Sequence, residues 1–161
     1  DDKPNNEFRL VVQNIAGNKM DYYLTREVTI MSEQCSPIRT TRVDFSVTNT
    51  ANPDVRLPAY VNALRAQGYP QGDRNTQFAG LFLYGPTNAR ITGVVDMDTG
   101  QTYGKVFVER NRPLYSVQTM IPAGKTKSFS VYFEGGVGDI STIVQPLVLP
   151  QKTTIADSCV S

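Results

Sequence analysis

Apolar and polar residues alternate with a period of two along most of the chain, the spacing that sends successive side chains to opposite faces of a β-strand. Thr41 to Thr48 is the cleanest case, with Val43, Phe45 and Val47 on one face and Arg42, Asp44 and Ser46 on the other. Phe8 to Asn14 reads as a first strand. The Ala16-Gly17-Asn18 segment that follows predicts a hairpin-like reversal, because Gly and Asn tolerate positive φ. From Tyr22 to near Cys35 the alternation returns, with Tyr22, Leu24, Val28 and Ile30 facing inward and Thr25, Glu27 and Thr29 outward.

After the Asn49-Thr50-Ala51-Asn52-Pro53 breaker, Asp54 to Gln77 is the least strand-like part of the sequence. Pro58 suits a first helical position and Gly68 a stop, so a short helix is expected near Ala59 to Ala66. Strands resume at Phe78 to Tyr84, Ala89 to Asp96, Gly104 to Arg110, Leu114 to Ile121 and Lys127 to Phe133. The Pro122-Ala123-Gly124 turn predicts that the last two pair antiparallel. A final strand is expected from Thr142 to Val148, at an edge or bulge because Pro146 has no amide donor, followed by a polar tail. The pattern describes an all-β, antiparallel, immunoglobulin-like sandwich of about 7 to 9 strands, with one long irregular loop or short helix. It suggests one domain over residues 1–161, without internal repeats or linkers.

Composition agrees with that class. Val, Ile, Thr, Tyr and Phe together number 56, against 29 for Ala, Leu, Glu and Lys. Sixteen basic and fifteen acidic residues leave a net charge of +1 with no long block of either sign. Nucleic acid is therefore not an expected partner. The sequence has no histidine, which removes imidazole-based nucleophile activation and imidazole zinc sites. The strongest apolar stretch, Ala79 to Tyr84, is far short of the roughly 20 residues a membrane helix needs. Residues 1 to 20 also lack the basic start and apolar block of a signal peptide. The expectation is a non-enzymatic protein with no cofactor and no metal, in contact with a membrane only through a segment missing from this chain.

Cys35 and Cys159 lie 124 positions apart with no second ligand beside either. A disulfide is the economical reading and implies an oxidising, extracytoplasmic compartment; two separate buried thiols are the alternative. Closing so long a loop would stabilise the fold by roughly 3 to 5 kcal/mol in the chain-entropy model. Asp96-Met97-Asp98-Thr99-Gly100 imitates the opening of a calcium loop, but Phe107 stands where the bidentate Glu belongs, and an exposed hairpin turn is expected instead. Glu27, Asp44 and Glu109 fall on the polar faces of their strands. The best candidate binding surface is the irregular segment carrying Arg56, Tyr60, Arg65, Tyr69, Arg74 and Phe78, where cations alternate with aromatics as in loops that hold glycans or peptides. The plainer reading of the same residues has Tyr60, Tyr69 and Phe78 capping the open end of the sandwich.

Gly17-Asn18-Lys19-Met20-Asp21-Tyr22-Tyr23-Leu24, Ser46-Val47-Thr48-Asn49-Thr50-Ala51 and Leu57-Pro58-Ala59-Tyr60-Val61 form a pattern with Phe82-Leu83-Tyr84-Gly85-Pro86, Pro122-Ala123-Gly124-Lys125 and Val144-Gln145-Pro146. The pattern resembles the C-terminal β-rich part of a family of large cell-surface proteins of unknown function from high-GC Gram-positive bacteria. The resemblance spans about Phe8 to Pro150. It implies an export route and a membrane tether upstream of Asp1, an extracellular or cell-surface location, and no assigned catalytic residue.

Three functions follow as expectations. The first is a non-enzymatic extracellular cell-envelope module, a disulfide-clamped sandwich for display, spacing or interaction with another surface protein. The second is a module that binds or processes envelope glycan through the Arg56 to Phe78 segment. The third is a self-assembling surface or capsid subunit that associates through an edge strand such as the one containing Pro146.

Overall fold

The computed structural model describes residues 5–62 and 74–159. In chain order these form β1 (Glu7–Asn14), a 3-10 turn (Met20–Tyr23), β2 (Leu24–Gln34), β3 (Thr40–Asn49) and the short helix α1 (Ala59–Asn62). Then come β4 (Gln77–Tyr84), β5 (Arg90–Asp96), β6 (Lys105–Glu109), β7 (Arg112–Ile121), β8 (Thr126–Glu134), β9 (Ser141–Thr142) and β10 (Gln151–Ala156). Two five-stranded sheets, ordered β6-β7-β4-β1-β9 and β10-β2-β3-β8-β5, pack as a sandwich. The β-sandwich class holds, but β9 runs parallel to β1 and β10 parallel to β2, so both sheets are mixed rather than wholly antiparallel.

The core forms where the alternating faces meet. Leu24, Val28, Ile30, Val43, Phe45, Val47, Val94, Phe129, Val131 and Phe133 come from one sheet, and Phe8, Leu10, Val12, Ala79, Leu81, Leu83, Tyr115, Val117 and Ile121 from the other. Phe45 stacks on Phe129 at 5.4 Å and Phe8 meets Phe133 edge-on at 5.2 Å, the offset and T-shaped geometries that ring quadrupoles favour. Burial pushes the Tyr115 phenol well up from its ordinary pKa, aided by the charge of Asp96, and its hydroxyl donates to the Tyr103 carbonyl. A smaller cluster of Met20, Ala51 and Ala123 seals the end where α1 docks.

The connections correct several expectations. Leu114–Ile121 and Lys127–Phe133 do not pair: β7 lies between β6 and β4, whereas β8 lies between β3 and β5. Each strand has one strongly apolar face, and the Pro122-Ala123-Gly124 turn carries the chain across the core so that these faces oppose each other. Asn49 ties down that crossing, donating from Nδ2 to the Ile121 carbonyl while its own carbonyl accepts from Gly124. The Ala16-Gly17-Asn18 and Asp96-Gly100 turns likewise join strands of different sheets and are not hairpins. Tyr22 belongs to the 3-10 turn and not to β2, and it is half exposed.

Of the strand expected from Thr142 to Val148 only Thr142 lies in a strand, the two-residue β9. Beyond Thr142 the chain stays against β1 by other means. Gln145 accepts from the Val12 amide at 2.8 Å through Oε1 and donates to the Val12 carbonyl at 3.1 Å through Nε2, so one side-chain amide stands in for a strand partner. Arg26, on the inward face of β2, donates to the carbonyls of Gln145 and Leu149. Burial lowers the pKa of its guanidinium. The chain then enters β10, a regular strand where a polar tail is expected.

Candidate functional site

The structure describes four of the six candidate residues of the irregular segment. Arg56 and Arg74 are exposed. Tyr60, on α1, is 57% exposed and lies under the Lys19 ammonium at 5.5 Å, a cation–π contact. Arg65 and Tyr69 lie outside the described residues. Phe78 lies in β4, where a strand is expected, paired with Met120 and buried, so it is not presented for binding. The base of the segment is organised by a network of asparagines. Asn75, in the left-handed region at φ 61°, donates to the carbonyls of Asn52 and Val55, accepts from Asn62, and offers its own carbonyl to Asn49.

Charged side chains converge instead on the outer face of the β6-β7-β4-β1 sheet. Glu7, Arg9, Tyr84, Glu109, Arg110 and Arg112 line a cleft of about 310 Å³. Arg9 and Tyr84 are cross-strand partners on β1 and β4, and Glu109 and Arg112 flank the two-residue turn between β6 and β7. Arg110 and Asn111 form that turn at φ 49° and 59°, the left-handed pair that a type I′ hairpin demands. Asn accepts such a conformation readily. Arg does so at a cost, of the kind that accumulates where a side chain is needed in a particular place.

The cleft is pre-organised. Glu7 pairs with Arg112 at 3.5 Å and with Arg9 at 3.7 Å, and Tyr84 donates to Glu109 at 3.1 Å. Burial raises the Tyr84 pKa, and Glu109 raises it further, so the hydroxyl remains a donor across the physiological range. Pro113 has no amide to offer β4; Arg112 compensates by donating to the Gly85 carbonyl at 3.3 Å while the Gly85 amide binds the Pro113 carbonyl at 2.9 Å. Three guanidiniums against two carboxylates, beside an aromatic ring, suit a carboxylate, sulfate or phosphate group on a polar ligand. These residues come from three separate stretches, Glu7 to Arg9, Tyr84 and Glu109 to Arg112, which only the sheet order unites. The local signal was the arginine-bearing turn Glu109-Arg110-Asn111-Arg112.

A second polar cluster closes the molecule. Cys35, just past β2, is bridged to Cys159, just past β10. Beside the bridge, Asp157 accepts from the Ser32 hydroxyl at 2.7 Å, the Cys159 amide at 2.9 Å, the Arg39 guanidinium and the Ile140 amide. Burial alone would raise its pKa; these donors outweigh that and hold it at about 2. The calcium-like turn is similarly self-contained: the Asp96 carboxylate accepts from the amides of Asp98 and Thr99, and Asp98 faces Lys127 at 3.5 Å. No protein-family model matches the chain, and no curated protein does either.

Proposed function

We propose that the chain is a non-enzymatic extracellular module of a cell envelope, a clamped sandwich that spaces or presents an interaction surface. The observation that carries this reading is the disulfide between Cys35 and Cys159, which spans 124 positions and fastens the C-terminal strand to β2. Such bridges persist in oxidising compartments. Among the described residues no helix is long and apolar enough to cross a membrane, which is compatible with a secreted or surface-held domain. The test is intact mass of natively purified protein, alkylated without reduction. Unreactive thiols and a peptide joining Cys35 to Cys159 are expected; two freely alkylated thiols would remove the chemical argument for an extracellular protein.

The arginine-lined cleft favours a second reading, binding of an acidic envelope glycan. Guanidiniums fixed by Glu7 would take the sugar carboxylate or phosphate, and Tyr84 would face the ring. Calorimetric titration with uronic-acid and neutral oligosaccharides separates the two readings. Binding of the acidic sugar alone, lost in Arg9→Ala, supports the glycan site; heat from neither leaves spacing or protein interaction as the role.

A further inference from the structure

We propose that β6 is a self-pairing edge and that two copies of this chain join through it, antiparallel, to make one continuous ten-stranded sheet. β6 ends the first sheet, with β7 on one side and, among the described residues, nothing on the other. All five of its residues are exposed, including three consecutive apolar ones: Val106 at 51%, Phe107 at 48% and Val108 at 75%. Edge strands are ordinarily blunted by a bulge, a proline, shortness or a covering element. β9 is only two residues long, whereas β6 has a regular register with β7 over its whole length.

The backbone phase of β6 follows from its neighbour. The Pro113 carbonyl points to β4, where it accepts from Gly85, so Pro113 and its partner Val108 form a non-hydrogen-bonded pair across β6 and β7. The amide and carbonyl of Val108 therefore face the open edge, and by alternation so do those of Val106. A second extended strand can bind there only in registers that match these two residues.

The sequence of β6 selects one such register. Lys105-Val106-Phe107-Val108-Glu109 is a charge palindrome. With a two-fold axis at Phe107, Val106 of each copy exchanges both backbone bonds with Val108 of the other, and Phe107 meets its own copy in the close, non-hydrogen-bonded position. Lys105 of each copy then stands opposite Glu109 of the other, twice by symmetry. The isologous arrangement uses every residue of the strand, whereas shifting the axis to Val106 or Val108 breaks both ion pairs and leaves an end unpaired. Charge complementarity thus commits the edge to a second copy of this chain in preference to an unrelated peptide.

Sedimentation equilibrium of the intact, oxidised chain over micromolar to millimolar concentrations tests this. A reversible monomer–dimer equilibrium is expected. Val108→Pro removes an outward amide that β7 does not use, so it should abolish association with little change in the melting temperature. Lys105→Glu and Glu109→Lys should each weaken self-association about tenfold. Mixed in equal amounts, these two variants should form heterodimers at wild-type strength, because every facing pair is again opposite in sign. A monomer throughout the range would overturn the proposal. So would a dimer indifferent to Val108→Pro, or a mixture that associates no better than its components.

Discussion

Asp157 shows how much one carboxylate can hold when several donors reach it. Its pKa of about 2 lies below the ordinary aspartate value near 4, so the folded state favours the ionised form. The resulting stabilisation is complete above about pH 4 and is lost as the pH falls toward 2; it amounts to about 1 to 2 kcal/mol after allowance for solvent screening. Asp157→Asn should remove it, and chemical denaturation from pH 6 to pH 2 checks this: wild type and variant should differ at pH 6 and converge at acid pH. A constant gap across the range would mean that the carboxylate charge plays no part. Arg110 gives the opposite kind of prediction. Arg110→Gly relieves a left-handed backbone at φ 49° and should raise stability by about 0.5 to 1 kcal/mol, measured by thermal melting, while removing a cation from the cleft. A variant that is more stable yet binds acidic ligands less well would show that the strain is kept for the side chain it positions.

At the scale of elements, the long strands were legible because local alternation is strong. β3 alternates partly and fully buried residues through all ten positions, and nothing in the fold overrides that pattern. Sheet membership was not legible, since β7 and β8 have the same local pattern whether they lie side by side or face each other across the core. β10 was missed for a different reason. Four of its six residues, Gln151 to Thr154, are polar and most of the strand is exposed, and it forms because β2 offers an open edge. The stretch before it is held by Gln145, whose side-chain amide occupies the hydrogen-bonding groups of Val12. Gln145→Ala leaves that amide and carbonyl without their protein partner and should cost about 1 to 2 kcal/mol in urea denaturation. Gln145→Glu should be nearly as costly, because a carboxylate cannot donate to the Val12 carbonyl. If Glu restored full stability, the paired-amide geometry would be irrelevant.

For the whole molecule, the decisive arrangement is that the last strand is an edge strand, parallel to β2, entered from a stretch held by Gln145 and Arg26 and fastened covalently at its far end. Two terms keep it there: the ladder with β2, and the closure formed by the Cys35–Cys159 bridge with Asp157, Ser32 and Arg39. The cysteine pair could be read from the sequence, but its neighbours could not, because Ser32, Arg39 and Asp157 become adjacent only once β10 has docked. Replacing both cysteines by serine should lower the unfolding free energy by about 3 to 5 kcal/mol if the bridge acts mainly by restricting the unfolded chain. The slope of the urea transition should stay the same if compactness is unchanged. Hydrogen exchange separates this global effect from a local one. With the tether cut, β10 keeps one neighbouring strand, so its amides should exchange through a local opening of lower free energy than that of β3 and β8 at the centre of the same sheet. Equal protection of β10 and β3 in the serine variant would show that the parallel ladder alone secures the C-terminal strand, and that the bridge contributes only through the unfolded state.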